Sequence, residues 1–428
     1  MKIIERKIYL DKIISKKENG MIKIISGIRR SGKSYLLFRL FKNYLLESGV
    51  DEEHIIELAL DSDINEKYCD PKALSEYIHS KIVDSKMYYV LLDEIQFAIL
   101  NDEIKSGKPL KIYSVLNGLL GLSNVDIYVT GSNSRFLSSD ILTEFRGRGD
   151  EVRVYPLTFS EFYSVFDGDK YDAWREYSTY GGLPQLISIN GDENKSQYLM
   201  NLMNNVYLSD VVERNNIKGS TIMDNLVDVL ASSVGSLTNP NKLVDTFTSH
   251  AIKTNAVTVS NYIDYLMDAF LISKAKRYNV KGRKYIGSPF KYYFTDIGLR
   301  NARLNFRQQE QTHIMENIIY NELLVRGFNV DVGVVEHTVK DENNNRTTRQ
   351  LEIDFVCNKG SKRYYIQSAF SMPNEAKIKQ EQASFDQVKD GFRKIIVTQD
   401  NIKSYFTEDG YLVINLIDFL LDENSIVA

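Results

Sequence analysis

The sequence predicts an α/β protein: a parallel sheet built around a phosphate-holding turn, then a helical segment closing in a basic hairpin, then a second α/β module. Three observations predict it. Residues 22–26 form a short apolar run that leads into Gly27-Ile28-Arg29-Arg30-Ser31-Gly32-Lys33-Ser34 and then a helical stretch from Tyr35. Residues 87–92 form a second apolar run, closed by Asp93-Glu94. From Lys195 to about Asn305 the apolar spacing is helical, and from Glu316 onward helix and strand alternate.

The first turn matches G-x-x-x-x-G-K-[ST] in the strand–loop–helix setting that this pattern requires, which predicts the parallel sheet of a P-loop NTPase. Glycines let backbone N–H groups turn inward around a phosphate chain, and the following helix presents its positive dipole end. Gly27, Arg30, Ser31, Gly32, Lys33, Ser34 and Tyr35 are the candidate nucleotide contacts. Lys33 is placed to reach the β and γ phosphates and Ser34 to ligate Mg²⁺. Asp93 is expected to hold the same ion through water, and Glu94 to polarise the attacking water. The plain alternative for Asp93-Glu94 is a strand that ends in two solvated acids.

Residues 54–61 offer another strand between these two. An inserted strand, together with a Glu directly after the Asp, favours the ATPase branch over the small GTPases. No Asn-Lys-x-Asp tetrad for guanine occurs, so ATP is the expected nucleotide. A strand at 126–130 leads into Gly131-Ser132-Asn133-Ser134, where Ser132 and Asn133 are candidates to touch the γ phosphate or the water. Such a turn also arises simply from side chains bonding their own backbone. Arg146 and Arg148 precede a last strand at 151–157. Either is a candidate to reach a neighbour's γ phosphate, and a pair of ordinary surface arginines is the competing reading.

Composition bounds the rest. The chain has 428 residues, 43% hydrophobic and 26% charged, with a net charge of -4. This is the balance of a globular protein and excludes collagen-like or disordered classes. At about 150 residues per domain, roughly three domains are expected: 1–165, 166–305 and 306–428. Cys69 and Cys357 lack partners at zinc spacing, so neither a disulfide framework nor a zinc site is expected. Met1 to Lys7 is charged with no apolar stretch behind it, and no run is long enough to span a bilayer. A cytoplasmic protein with no membrane contact is expected.

The ordered motifs resemble a large group of prokaryotic AAA-type ATPases. The segments that carry the resemblance are residues 24–37, Leu91-Leu92-Asp93-Glu94-Ile95-Gln96, Thr130-Gly131-Ser132-Asn133, Gly147-Arg148, Tyr155 to Phe162 and Gly181-Gly182-Leu183-Pro184. The resemblance covers nearly the whole chain. It implies an ATPase sheet, a winged-helix segment, and a C-terminal domain similar to restriction-endonuclease-like folds.

In the middle segment, helices are expected over 221–233, around 241–247 and over 258–272, the last capped by Thr258 or Ser260. Leu243, Phe247, Ile263, Leu266 and Phe270 are the expected core. Two helices followed by strand–turn–strand is the winged-helix order. Between Leu271 and Arg307 lie ten basic residues and one acid, Asp296. Lys281, Arg283 and Lys284 at the turn are the nucleic-acid candidates, with DNA the expected partner. A solvated basic face, or a surface that docks on the protein's own acidic ATPase domain, is the alternative, and a protein partner or a homo-oligomer stays open.

The C-terminal module runs helix (from Glu316), strand (330–335), strand (352–356 with Asp354) and strand (363–370). This is the order of metal-dependent nucleases, which need clustered carboxylates and a lysine. Here Gln367-Ser368-Ala369 stands where Glu-x-Lys belongs. A nuclease-shaped domain without cleavage activity is therefore expected. The functional expectation is a Mg²⁺-dependent ATPase whose nucleotide state repositions these modules. The alternatives are a nucleotide-gated DNA-binding or docking scaffold, and an active nuclease.

Overall fold

The computed structural model describes residues 3–99, 110–132, 147–219, 221–307, 310–340 and 346–427. The chain divides into two compact units, Met1–Pro156 with Asp268–Phe270, and Leu157–Met267 with Leu271–Ala428.

The first unit is organised by five strands: β1 (Ile22–Ser26), β2 (Ile55–Ala59), β3 (Tyr88–Asp93), β4 (Val125–Thr130) and β5 (Gly149–Arg153). Their order is β2-β3-β4-β1-β5, and every neighbouring pair is parallel. Strands β1, β3 and β4 are buried at every position, as an inner strand covered on both faces must be. Helices Pro71–Lys81 and Lys111–Leu120 bring Leu74, Ile78, Leu116 and Leu119 into one core with Ile24, Val90, Leu92 and Val129. Pro71 opens its helix, and the Asp70 carboxylate accepts from the Ala73 N–H at 2.9 Å.

One expectation is corrected. The strand that separates β1 from β3 is β4, while residues 55–59 lie outside β3 at the sheet edge. Crossover connections decide the order of a parallel sheet, and sequence order does not reveal it.

In the second unit, helices Thr221–Ser232, Pro240–Ser249 and Ala256–Asp268 precede a hairpin of β6 (Ile272–Asn279) and β7 (Lys284–Phe294). Thr238 and Phe290 exchange backbone hydrogen bonds of 2.8 Å each, so a third short strand segment flanks the hairpin. The third helix starts earlier than expected. Asn255, not Thr258 or Ser260, caps it by accepting from the Thr258 N–H at 2.9 Å. Leu243, Phe247, Ile263, Leu266 and Phe270 are all buried.

Helix Gln311–Val325 is followed by β8 (Asn329–Lys340), β9 (Arg346–Lys359), β10 (Lys362–Ala369), β11 (Arg393–Thr398), β12 (Tyr405–Phe406) and β13 (Leu412–Asn415). With the hairpin they make one mixed sheet, β12-β13-β11-β10-β9-β8-β6-β7. Because β6 pairs parallel with β8, the sheet runs continuously across residue 305.

The Gly181-Gly182 motif also finds its reason in this unit. The buried Asp296 carboxylate accepts from the Gly182 N–H at 2.8 Å and from the Leu299 N–H at 3.1 Å, capping helix Ile297–Arg303. Gly181 has φ +80°, and a Cβ there would lie 2.2 Å from Asp296 Oδ1. Among the described residues no helix is long and apolar enough to cross a membrane.

Candidate nucleotide site and the C-terminal carboxylate cluster

Strand β1 delivers the chain to the loop at its C-terminal end. Gly27 has φ +141°, and a Cβ there would lie 2.1 Å from the Val154 carbonyl oxygen, so only glycine fits. Arg30 at φ 63° and Gly32 at φ 93° complete the turn, and helix begins at Lys33. A π-helical turn, Leu36–Phe41, interrupts that helix within its first turns.

Lys33 is buried, and its ammonium donates to the Gly27 and Ile28 carbonyls at 3.1 and 3.2 Å. Burial pushes its pKa down, against the nearby charges of Glu94 and Asp93. Ser31 is fully buried, and among the described residues its hydroxyl has no partner. Arg30, Ser34 and Tyr35 are exposed at the loop.

Strand β3 brings the two acids beside the loop. Asp93 is buried, the Thr130 hydroxyl donates to its carboxylate, and the Ser34 hydroxyl stands near enough to stabilise its charge. Burial pushes Asp93 above the usual carboxylate range, and those two hydroxyls pull against it. Glu94 follows in a left-handed conformation, φ 53°, with its N–H donating to Thr130 Oγ1 at 3.0 Å. The Gln96 amide donates to Glu94 Oε2, and the Ser132 hydroxyl lies 3.4 Å from the same oxygen.

The structure thus brings Gly27, Lys33, Ser34, Asp93, Glu94 and Ser132 together at one end of the sheet. It does not bring Arg148 there. Arg148 is exposed, and its carbonyl accepts from the Ile22 N–H at 2.9 Å, beside the start of β1. Four residue steps of strand, about 13 Å at about 3.3 Å each, separate that end from the loop. Asn133 and Arg146 lie outside the described residues. Thr130 and Gln96 are not among the expected site residues, although both lie in segments that carry the resemblance. Their position adds a signal, Thr130 closing the strand beside Asp93 and Gln96 standing two residues beyond Glu94.

The basic segment divides. Arg277, Lys291 and Arg300 are buried, and Arg303 pairs with Asp228 at 2.5 Å and Asp224 at 3.4 Å. These four, counted among the ten basic residues of the segment, are therefore not free to meet phosphates. Lys281, Arg283 and Lys284 are exposed at the hairpin tip, where Lys281 Nζ donates to the Glu336 carbonyl at 2.7 Å. Helix Ala256–Asp268 carries no Lys or Arg.

Lys291 has a different employment. Its ammonium lies 2.8 Å from Glu316, 2.7 Å from Glu352 and 3.8 Å from Asp354. Tyr293 donates to Glu316 at 2.7 Å, and the Ser368 N–H donates to Asp354 at 2.8 Å. Burial lowers the affinity of Lys291 for its proton, but the three carboxylates outweigh it and the net shift is upward. Ile366 pairs with Phe355, so Gln367 sits beside Asp354 on the neighbouring strand. The helix acid and the strand acids do meet, and a lysine from β7 stands among them.

Two family models match the chain: an AAA domain over residues 19–163 and a domain of unknown function over 171–310. An uncharacterized protein of Haemophilus influenzae is 33% identical over 426 residues, covering 98% of this chain and 99% of that protein. An uncharacterized protein of Methanocaldococcus jannaschii is 27% identical over 406 residues, covering 91% and 82%. A solved Walker-type ATPase of Pyrococcus abyssi overlays with a TM-score of 0.49 at 16% identity, covering 71% of this chain and 96% of that one. The chain belongs to the family of the Haemophilus protein, and its N-terminal part is an AAA-type P-loop ATPase domain.

Proposed function

We propose that the AAA domain binds ATP with Mg²⁺ and hydrolyses it, and that its nucleotide state repositions the modules that follow. One observation carries this reading: the buried Lys33 ammonium rests on the Gly27 and Ile28 carbonyls of a glycine-bounded loop, in the field of both Asp93 and Glu94. The backbone N–H groups of 27–34 would wrap the phosphate chain. Lys33, now resting on two carbonyls, would turn to the β and γ phosphates. Ser34 and Asp93 would hold Mg²⁺, which would offset the charge of those phosphates. Glu94 would accept a proton from the attacking water. Ser132 stands near that carboxylate, and Asn133 shares its proposed role. Arg148, exposed and remote from its own loop, would serve the site of a neighbouring copy.

The test compares ATP binding and turnover in the wild type, Lys33→Ala and Glu94→Gln. Lys33→Ala is expected to lose binding. Glu94→Gln is expected to bind ATP and lose about 10²-fold or more in turnover. Equal turnover in all three removes the assignment.

The division 1–165, 166–305 and 306–428 is retained as a functional one. The three helices, the Thr238 segment and the β6–β7 hairpin support a winged-helix module. The helix–strand order with Glu316 and Asp354 supports a nuclease-like module. Its cleavage is not supported, because an ammonium already stands among the carboxylates and Gln367 and Ala369 occupy the positions of the missing pair. The free thiols of Cys69 and Cys357 suit a reducing cytoplasm.

The second reading is a nucleotide-gated scaffold that binds DNA through the hairpin tip. The exposure of Lys281, Arg283 and Lys284 favours it. With no cation on helix Ala256–Asp268, contact would run through phosphates and carry little base readout. Neutralising all three is expected to lower the salt slope of DNA binding by up to about 3. Binding indifferent both to salt and to these changes rejects it.

A further inference from the structure

We propose that Gln96 is a positioning residue for hydrolysis: its amide fixes the Glu94 carboxylate, and its own carbonyl oxygen helps orient the attacking water. This rests on the ATPase reading above and adds a residue to its chemistry.

The argument starts from the backbone. Glu94 is not glycine, yet it holds φ 53°, a conformation that costs a side-chain-bearing residue free energy unless its surroundings impose it. Two contacts impose it here. The Glu94 N–H is tied to Thr130 Oγ1 at 3.0 Å, and its side chain is tied to the Gln96 amide. The left-handed kink ends β3 at Asp93 and opens the short 3-10 turn Ile95–Ala98, which carries Gln96 back toward the acid. Asp93 and Glu94, adjacent in sequence, are thereby given separate partners. Asp93 faces the Ser34 and Thr130 hydroxyls, and Glu94 faces Gln96 and Ser132.

The amide contact divides the work of the carboxylate. Both the Gln96 amide and the Ser132 hydroxyl approach Oε2. Oε1 is left as the oxygen that can accept a proton from water. A carboxylate that rotates freely offers either oxygen in many orientations, whereas one held by an N–H donor offers one in a fixed direction.

The far end of the same amide supplies the second half of the argument. Gln96 Oε1 is buried, and among the described residues it has no hydrogen-bond partner. A buried acceptor without a donor is costly, and a catalytic role or a bound water is among the reasons one is kept. Oε1 and Nε2 share one amide carbon, so this vacant acceptor lies beside the Glu94 carboxylate. A water there has two O–H groups to place. One would go to Glu94 and the other to Gln96 Oε1, leaving an oxygen lone pair for phosphorus. The balance is that of simple hydrolysis: the water oxygen bonds the γ phosphorus, the bond to the leaving ADP oxygen breaks, and Glu94 takes the water proton.

The experiment measures ATP affinity, kcat, KM and the pH–rate profile of full-length wild type, Gln96→Ala, Gln96→Asn and Gln96→Glu, with Glu94→Gln as the reference. Gln96→Ala is expected to lower kcat by about 10- to 100-fold while leaving ATP affinity within about threefold. Gln96→Asn, which keeps the amide on a shorter arm, is expected to recover part of that loss. Gln96→Glu sets a carboxylate beside Glu94, in a pocket also faced by Lys33, Asp93, Thr130 and Ser132. Its acid limb is expected to move up by about one pH unit, since two neighbouring carboxylates do not ionise together easily. A merely structural role would move stability without moving that limb. Wild type that neither binds nor turns over ATP defeats the ATPase reading beneath the proposal. Wild type that turns over ATP and loses turnover in Glu94→Gln, while Gln96→Ala keeps kcat and Gln96→Glu keeps its pH profile, overturns the role of Gln96 alone.

Discussion

Replacing Lys291 with methionine removes one charge and little volume from the C-terminal module, and the structure fixes what should follow. The ammonium is 4% exposed and sits within 4 Å of three carboxylates, on Glu316, Glu352 and Asp354. Glu352 is 35% exposed, so water can take over much of its share. Glu316 and Asp354 are buried and would keep only the Tyr293 hydroxyl and the Ser368 N–H. Removing one partner of a buried ion pair costs about 3–5 kcal/mol, because the remaining charge is stranded. With one of the three acids screened, about 3 kcal/mol is the expected loss near pH 8.

The pH dependence distinguishes this from ordinary packing loss. Burial first, and then Glu316, push Asp354 up to about 8, with Lys291 opposing them. The folded state therefore holds that proton more firmly than the unfolded chain, whose Asp titrates near 3.8. A raised carboxyl contributes stability that is complete below 3.8 and fades as pH climbs toward 8. Without Lys291 the carboxyl should rise further, and the fade should run on to higher pH. The Asp354 share of the gap between wild type and Lys291→Met should accordingly be absent at pH 5 and open only as pH climbs through 8. Calorimetric unfolding would read it, following the transition of the second unit, since a chain of two units need not melt in one step. About 3 kcal/mol corresponds to roughly 6 to 12 °C for a unit of this size. A variant that melts within about 1 °C of wild type at pH 8, or a gap that ignores pH, would refute the claim that this ammonium neutralises the cluster.

Gly27→Ala drives a methyl group to 2.1 Å from the Val154 carbonyl at φ +141°, so the loop must shift. Loss of ATP binding with a destabilisation of about 2 kcal/mol or more is expected by calorimetry, and normal affinity would count against the loop geometry. Asp296→Asn places an amide donor among backbone donors and should cost about 1–3 kcal/mol. Burial lifts Asp296 to about 6, so its stabilising protonation fades between 3.8 and 6. The difference between wild type and Asp296→Asn in urea unfolding should thus shrink from pH 4.5 to pH 7. Burial depresses the Lys33 ammonium, and a bound triphosphate would restore it. ATP affinity measured by calorimetry should therefore weaken as pH climbs through the alkaline range, with proton uptake on binding; a flat profile would contradict it.

The phosphate loop was legible because its chemistry is local: strand, glycine turn, Lys33 and Ser34 occupy consecutive residues. Asp93-Glu94 was legible for the same reason. What sequence could not supply was placement between elements. The position of β4 between β1 and β3 depends on crossovers. Arg148 belongs to a segment whose register puts it beside Ile22, at the wrong end of β1 for its own loop. Asn255 and Thr258 are both good caps three residues apart, and only the backbone chooses between them. Counting cations from Leu271 to Arg307 treated buried and exposed ones alike. Arg300, fully buried and bonded to the Ala231 carbonyl at 2.8 Å, was never available to a phosphate.

Lys33 and Lys291 show why residue type alone does not mark a binding site. Both ammonium groups are buried, and both face carboxylates. Lys291 is in direct contact with carboxylates on two elements, and its charge is held more tightly than in water. Nothing anionic is needed there. Lys33 instead touches two carbonyl oxygens, feels Asp93 and Glu94 only at a distance, and holds its charge less tightly than in water. A buried cation in that state gains most from an anion brought to it. The direction of each lysine's shift thus separates a centre prepared for a ligand from one already filled by the chain itself. That contrast supports the proposed phosphate site at the loop beside Asp93 and Glu94.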